Sequence, residues 1–245
     1  MTVRYYSNNS PKLRNILSPV CSRQFMRGRL YKTAYRNAEG KLLKTVTEDY
    51  DFPIVGNDTV LYITGERAYQ FVFKRVNVSD ASTTTTMYSG NTVSTSSESY
   101  TYNEYGRIAT VCNMESDGSL SRIENEYIGD RPAENDIQKA MVENNVLDCL
   151  KERRVYRNNN LMSAERYSYC MPDTDKKAMA KPNKVEYRTA DNGWKLQATY
   201  KYDSMGNIVE ELAPDNVATT YLWSYGSQRL VAEITGCSFK EVDKA

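Results

Sequence analysis

Apolar and polar residues alternate along most of the chain in short segments separated by Gly, Asn and Asp. This is the pattern of half-buried antiparallel strands joined by tight turns. Residues 200–211 show it most clearly, because Tyr200, Tyr202 and Ile208 alternate with polar residues on either side of a polar turn. Residues 100–110 are a near copy. Both segments read Tyr-x-Tyr-[Asp/Asn]-x-x-Gly-[Arg/Asn]-Ile, which predicts a β-hairpin at each place.

The turn of this hairpin follows from its first and fourth residues. Asp203, like Asn103 in the copy, can bond the backbone two residues further on, and the glycine three residues later takes a left-handed conformation at no steric cost. The resulting three-residue loop with a bulge places Tyr202 opposite Ile208. Because an isolated hairpin is marginal in water, we expect such units to pack side by side.

Weaker copies of this turn occur elsewhere in the chain. Residues 37–42 keep the Asn and the Gly, whereas residues 115–120 keep the Gly alone. Asn192-Gly193 predicts a two-residue turn between strands at 185–189 and 194–202. Several turns of similar composition in one chain predict a series of consecutive hairpins.

Two further stretches predict strands. Residues 59–64 and 69–76 predict a hairpin, and the apolar run 70–74 predicts a strand at the centre of the sheet. The Ser- and Thr-rich residues 79–99 predict two exposed strands rather than a disordered tract, because β-branched Thr favours strands.

Two helices interrupt the strand pattern. Residues 133–144 carry apolar side chains at helical spacing, with Pro132 just before them and acidic residues in the first turn. Ser238 and Glu241 form a capping-box pattern that predicts a short last helix. The predicted fold is therefore mainly β: consecutive antiparallel hairpins form a long, twisted meander with one inserted helix and a short C-terminal helix.

The predicted domain organisation is simple. Residues 1–24 are polar and predict an irregular lead-in, and residues 25–245 predict a single β-repeat domain. A candidate sub-boundary lies at 171–182, where two prolines and three lysines predict a linker. A chain of 245 residues is long enough to bury a core.

The repeated Tyr-Asp-x-x-Gly-[Arg/Asn]-Ile pattern resembles the YD repeat of RHS-type proteins, which are bacterial β-hairpin scaffolds. The likeness is sharpest at 100–111 and 200–212 and partial at 31–50 and 113–127, and residues 217–234 are similar to the C-terminal segment of RHS-like proteins of Bacteroidetes. The resemblance implies a scaffold that is secreted or displayed at the cell surface. It also implies that toxic or hydrolytic activity, where present, belongs to separate C-terminal domains.

Composition argues against several classes of function. The 32 basic and 31 acidic residues give a net charge of +1, without the basic excess typical of nucleic-acid or anionic-membrane binding. The absence of His removes the commonest general base and metal ligand.

The sequence contains no nucleotide-binding motif and no motif of a catalytic nucleophile. Residues 113–124 approach a calcium loop, but predicted strands rather than helices flank them. The sequence thus predicts no catalytic residue, cofactor or metal.

The cysteines and the N-terminus bear on location. The five cysteines are widely spaced, which predicts free core thiols rather than a disulfide framework and leans against an oxidising compartment. No apolar stretch reaches the ~20 residues that span a bilayer, and the N-terminus lacks an apolar signal region. The expected location is the cell surface or the exterior if a signal lies upstream of this chain, with the cytoplasm as the alternative.

Aromatic residues are the candidate binding groups. Trp194, Trp223, Tyr221 and Tyr225 could form a platform for sugar rings, although the structural alternative is that they belong to the repeat core. We expect any site to lie where the repeat breaks, near 133–147 or at Tyr221 to Tyr225.

Three functions remain open from the sequence. The leading hypothesis is a non-catalytic scaffold or interaction protein, and the second is a carbohydrate-binding module. The third is a glycan-active hydrolase that uses carboxylates. The expected partner is a glycan or another surface protein, and its identity is open.

Overall fold

The computed structural model describes residues 1–6, 28–52, 54–64, 67–76, 79–172, 179–190 and 192–242, and for 54–76 it describes the backbone alone. Within these residues fourteen antiparallel strands form one sheet in which neighbours follow the order of the chain, except that the fourth and fifth strands are left out and pair with each other in a sheet of two. The chain divides into two compact units, Met1–Ser121 and Arg122–Ala245. The mainly β, antiparallel meander predicted from the sequence is confirmed.

The first unit contains eight of the described strands and the first two residues of a ninth. They are β1 (Thr2–Tyr6), β2 (Leu30–Arg36), β3 (Leu42–Asp51), β4 (Ile54–Thr64), β5 (Arg67–Val76), β6 (Asp80–Ser89), β7 (Thr92–Tyr102), β8 (Ile108–Met114) and β9 (Leu120–Tyr127). The Ser- and Thr-rich region forms β6 and β7, as predicted.

The second unit contains the rest of β9, seven further strands and both α-helices. They are β10 (Leu150–Arg157), β11 (Asn160–Cys170), β12 (Lys181–Thr189), β13 (Lys195–Tyr202), β14 (Ile208–Leu212), β15 (Ala218–Ser224) and β16 (Arg229–Thr235), with helices α1 (Asp136–Glu143) and α2 (Phe239–Val242). The inserted helix and the C-terminal helix were both predicted.

The hairpins at 100–110 and 200–211 share one turn geometry. Asn103 Oδ1 accepts hydrogen bonds from the backbone N–H groups two and four residues further on, at 3.1 and 2.8 Å. Asp203 Oδ1 does the same at 3.0 and 2.8 Å. The glycine at the fourth position has φ of +74° in the first turn and +84° in the second. Tyr202 pairs with Ile208 across a bulge, as predicted.

Two other turns differ from what the sequence indicated. Residues 213–217 form a turn of the same kind, in which Asn216 takes the left-handed conformation (φ +64°) that glycine takes elsewhere, and this copy lacks the Gly that identifies the others. The prediction of a two-residue turn at Asn192-Gly193 is wrong, because β12 ends at Thr189 and β13 begins only at Lys195.

The start of the chain is regular where the structure describes it. Residues 2–6 form β1, which pairs with β2 from Thr2↔Tyr35 to Tyr6↔Leu30, so the prediction of an irregular lead-in over 1–24 is wrong for these residues. Val3, Tyr5 and Tyr6 favour a strand once a neighbouring edge is available. The rest of that segment and Cys21 lie outside the described residues.

The apolar hairpin lies elsewhere than predicted. We expected residues 70–74 at the centre of the sheet, but β3 pairs directly with β6, from Lys44↔Met87 to Asp51↔Asp80, and β4 and β5 pair with each other. Apolar composition indicates burial without specifying which strand is the partner, which explains the error.

The core of the second unit forms under α1. Met141 is fully buried and packs with Ile128 and Ala180. Five partly buried residues pack against this cluster: Ile137, Val146, Cys149, Tyr169 and Met171. Elsewhere among the described residues, most of the buried apolar side chains are small and lie on strands. They include Ala34, Ala164, Ala198 and Ala218. The helix therefore anchors one local core, and the sheet around it presents half-buried side chains.

Candidate functional site

A cluster of charged side chains lies where α1 interrupts the repeat, within the region 133–147 that the sequence analysis named as one candidate location. A cleft of about 490 Å³ runs between the first turn of α1 and strands β9 to β12. Eight charged side chains line it, four acidic and four basic: Glu126, Arg131, Glu134, Lys151, Glu152, Arg154, Arg166 and Glu186.

The start of α1 is fixed by its own side chains. Asn135 Oδ1 accepts a hydrogen bond from the backbone N–H of Gln138 at 2.9 Å, and Gln138 Oε1 accepts one from the backbone N–H of Glu134 at 2.8 Å. This reciprocal cap satisfies donors at the start of the helix. It also holds Glu134 beside the strand residue Lys151.

Lys151 bridges the helix and the sheet. Its Nζ lies 2.7 Å from Glu134 Oε1 and 3.2 Å from Glu126 Oε1, and only 16% of its side chain is exposed. Burial alone lowers the pKa of Lys151, but the hydrogen bonds to Glu134 and Glu126 outweigh it and raise the pKa above its ordinary value. Lys151 is therefore a fixed cation.

The strand residues of the cleft are ion-paired in the same way. Arg154 Nε lies 2.7 Å from Glu152 Oε1, and Arg166 Nε lies 2.8 Å from Glu186 Oε2. The hydrogen bond from Arg166 and then that from Lys184 lower the pKa of Glu186 despite its burial, and the hydrogen bond from Lys151 lowers the pKa of Glu134. Both carboxyl groups therefore stay ionised near neutral pH.

Sequence reasoning named none of these charged residues. The available signal was the alternation of charges at positions i and i+2 within single strands, such as Glu152 with Arg154 and Lys184 with Glu186. Only the register shows which of these charges meet across strands, for example the pairing of Glu152 with Arg166.

The predicted aromatic residues separate into two groups. Tyr221 and Trp223 lie on one face of β15, and the indole N–H of Trp223 donates to the Ile208 carbonyl oxygen at 2.8 Å. The Tyr221 hydroxyl lies 3.4 Å from Glu211 Oε2, and burial first, then nearby carboxylates, raise the pKa of Tyr221. Both rings are half-buried.

Tyr225 follows directly after β15 and differs from its neighbours. Its side chain is 70% exposed, its backbone has φ of +55°, and the Arg229 guanidinium lies 5.6 Å from the ring centroid. A left-handed conformation is strained for a bulky residue, so the fold holds this ring outward at an energetic cost.

Trp194 lies away from the other three aromatic residues. Its ring lies 4.4 Å from the Arg166 guanidinium and 5.1 Å from that of Arg188, which stacks it beside the charged cleft. The strand registers from β12 to β15 and the alternation of side chains place Trp194 on the opposite face of the sheet from Tyr221 and Trp223. The four predicted residues therefore lie on both faces of the sheet.

The described residues offer no metal site and no disulfide. No group of three or more acidic or cysteine side chains there converges as metal ligands would, and residues 113–124 form β8, a turn and β9. Cys112, Cys149, Cys170 and Cys237 are unpaired. None of the helices described is long and apolar enough to cross a bilayer.

No family model matches the sequence, and no curated protein matches it. Among solved structures, TcdB2-TccC3 without its hypervariable C-terminal region is 14% identical over 85% of this chain, with a TM-score of 0.29, and the chain spans 11% of its length. A porin-like protein from Bacteroides uniformis is 12% identical over 83% of this chain and 87% of its own, with a TM-score of 0.22. Scores of this size carry no conclusion about this chain.

Proposed function

We propose that this chain is a non-catalytic β-hairpin repeat scaffold of the YD-repeat kind, which acts by presenting its sheet surface to a partner at the cell surface or outside the cell. The observation that supports this most directly is the repeated turn. Asn103 and Asp203 make the same pair of side-chain to backbone hydrogen bonds, and Asn37 makes the second of them, to Lys41, at 2.8 Å.

The charged cleft favours presentation over catalysis. A hydrolase of the two-carboxylate type needs one carboxyl group that keeps its proton near neutral pH. Glu134 and Glu186 have lowered pKa values, and the basic residues Lys151, Arg154 and Arg166 are each engaged by a carboxylate. These ion pairs stabilise the structure and leave a charge-balanced surface.

A screen of glycosidase, esterase and peptidase substrates tests the non-catalytic part of the proposal. We expect no turnover above buffer for the wild-type chain. Turnover that falls in both Glu126→Gln and Glu152→Gln, with unchanged circular dichroism, would favour the hydrolase hypothesis over the scaffold proposal.

Treating intact source cells with trypsin tests the proposed location. Peptides of this chain that are released without lysis support surface display, and peptides found only after lysis contradict it.

Carbohydrate binding is the second candidate, because Tyr225 is strained and exposed beside Trp223. A glycan array should then show a ligand whose binding is lost in Tyr225→Ala and Trp223→Ala. Trp194→Ala is the matched control, since Trp194 lies on the other face and its loss should leave binding unchanged. An array on which no glycan binds would eliminate this candidate and leave the scaffold.

A further inference from the structure

The connection between β12 and β13 carries the one Asn-Gly pair of the sequence, Asn192-Gly193. Because β12 ends at Thr189 and β13 begins at Lys195, this pair lies outside the hydrogen-bonded ladder of the sheet. Both residues are exposed. The pair therefore has the conformational freedom that a reaction between a side chain and its own backbone requires.

Gly193 provides the backbone group of such a reaction. Its N–H makes no hydrogen bond to a residue that the structure describes, and nothing lies within 4 Å of the place that a Cβ would occupy. Glycine also lacks the Cβ that restricts the approach of other groups to the backbone. The Gly193 nitrogen is therefore accessible to the side-chain carbonyl carbon of Asn192.

The Asn192 amide group is held by a single contact. Its Nδ2 donates to Thr189 Oγ1 at 3.0 Å, while the backbone N–H of Asn192 donates to the Thr189 carbonyl oxygen at 3.0 Å. The backbone bond fixes the bend of the chain, and the side-chain bond is exposed. Breaking the side-chain bond frees the amide to turn toward Gly193, at the modest cost of one neutral hydrogen bond.

The Asp117-Gly118 pair, which can form the same kind of ring, has the opposite arrangement. The Gly118 N–H donates to the Glu115 carbonyl oxygen at 3.0 Å, and Asp117 Oδ1 accepts a hydrogen bond from the Ser119 N–H at 2.8 Å. Both reacting groups are thus engaged in a closed hairpin turn. The fold protects this pair and leaves Asn192-Gly193 open.

We infer that Asn192 is a site of spontaneous deamidation, at a rate that its hydrogen bond to Thr189 limits. Hydroxide removes the Gly193 N–H proton, the nitrogen attacks Cγ of Asn192, and the Cγ–Nδ2 bond breaks as ammonia leaves. Water then opens the cyclic imide at one of its two carbonyl groups, which gives aspartate or isoaspartate. No group is oxidised or reduced, and water is the other reactant.

The products change the surface beside the charged cleft. A neutral amide becomes a carboxylate, and isoaspartate also adds one methylene group to the main chain just before Trp194. The Trp194 ring lies 4.4 Å from the Arg166 guanidinium and 5.1 Å from that of Arg188. The modification thus alters the segment that carries Trp194. It goes beyond the scaffold proposal and does not depend on it.

Peptide mass spectrometry of the full chain, incubated either folded or in guanidinium chloride, tests the site. Trypsin cleaves after Arg188 and Lys195, so the peptide 189–195 contains Asn192 and no other amide side chain. We expect this peptide to deamidate in the folded chain, faster at higher pH, at a rate within about tenfold of that in denaturant. At Asp117-Gly118 the folded chain should form isoaspartate more than about tenfold more slowly than the denatured chain.

Variants separate the contributions of the two neighbours. Gly193→Ala should slow the deamidation at least about fivefold, because alanine lacks the backbone freedom of glycine. Thr189→Val keeps the branched shape without the hydroxyl and should speed the reaction about fivefold, the equivalent of one neutral hydrogen bond. Thr235→Val is the matched control, since Thr235 is likewise the exposed last residue of a strand, and should leave the rate unchanged.

Three results would overturn the inference. The first is an Asn192 that stays intact in the folded chain while it deamidates in denaturant, and the second is an unchanged rate in Gly193→Ala. The third, a rate in Thr189→Val no higher than in Thr235→Val, would remove the role of the hydroxyl. Each of these leaves the scaffold proposal standing, because that proposal is tested by activity and location.

Discussion

Left-handed residues determine where this sheet can turn. Glycine occupies the fourth position of most of the turns, with φ of +81° at Gly40 and +84° at Gly206. A side chain at such a position places its Cβ too close to the neighbouring carbonyl oxygen. At Gly206 an added Cβ would in addition lie 3.3 Å from Lys181 Cε.

Alanine substitutions at three glycines separate these effects. Gly40→Ala should lower the free energy of unfolding by about 1 kcal/mol through backbone strain alone, since nothing lies within 4 Å of the added Cβ. Gly206→Ala should cost at least as much. Gly193→Ala is the control, because Gly193 has neither a positive φ nor a close neighbour, and should change stability by less than about 0.5 kcal/mol. Urea denaturation measures all three, and equal losses would contradict the strain argument.

The Glu186 carboxylate gives a pH-dependent prediction. Its pKa is lowered in the folded state by Arg166 and Lys184, so its stabilising effect is present above the unfolded-state pKa of about 4.3 and is lost as the pH falls through the lower folded value. Glu186→Gln should therefore lower the free energy of unfolding by about 1 kcal/mol at pH 7. The difference between variant and wild type should be smaller at pH 3 than at pH 7, because the effect begins to be lost below the unfolded-state pKa. Urea denaturation at the two pH values checks this, and a constant difference would show that packing, not charge, is responsible.

At the scale of elements, α1 depends on one buried side chain. Met141 is fully buried, whereas the next residue, Val142, is 40% exposed. Met141→Ala should lower the free energy of unfolding by about 2–4 kcal/mol, because it removes buried methylene groups and leaves a cavity. Val142→Ala should be neutral or slightly stabilising, since alanine has the higher helix propensity. Thermal and urea denaturation of both variants test this, and similar losses would mean that α1 is not anchored through Met141.

Elements whose signals are local were predictable from the sequence. The turns at Asn103 and Asp203 follow from a side chain that bonds its own backbone, and α2 follows from the Ser238 and Glu241 cap, whose hydrogen bonds of 2.7 Å are present. The Asn216 turn was missed because Asn replaces the diagnostic Gly. Strand partners and the ion pairs of the cleft were not predictable, because both depend on register, which a one-residue shift reverses.

At the scale of the whole molecule, the main departure from a simple meander is the excursion of β4 and β5. The sheet continues from β3 to β6 without them, and the pairing of these two strands extends to Asp51 and Asp80 at its end. The Ser79 N–H also donates to the Asp51 carbonyl oxygen at 3.2 Å. The ends of the excursion are therefore already as close as the ends of a tight hairpin.

This arrangement predicts that the excursion can be removed. A variant in which residues 53–78 are replaced by Asn-Gly, a two-residue turn that suits antiparallel strands, should fold with β3 and β6 still paired. Hydrogen exchange should show the same protection of Thr45 to Glu48 and Thr83 to Thr86 as in the wild type. Replacement of 158–159, where Asn158 and Asn159 already form a left-handed turn, by the same Asn-Gly is the control for the inserted sequence. Loss of protection in β3 and β6 of the first variant alone would show that the excursion supports the sheet rather than being attached to it.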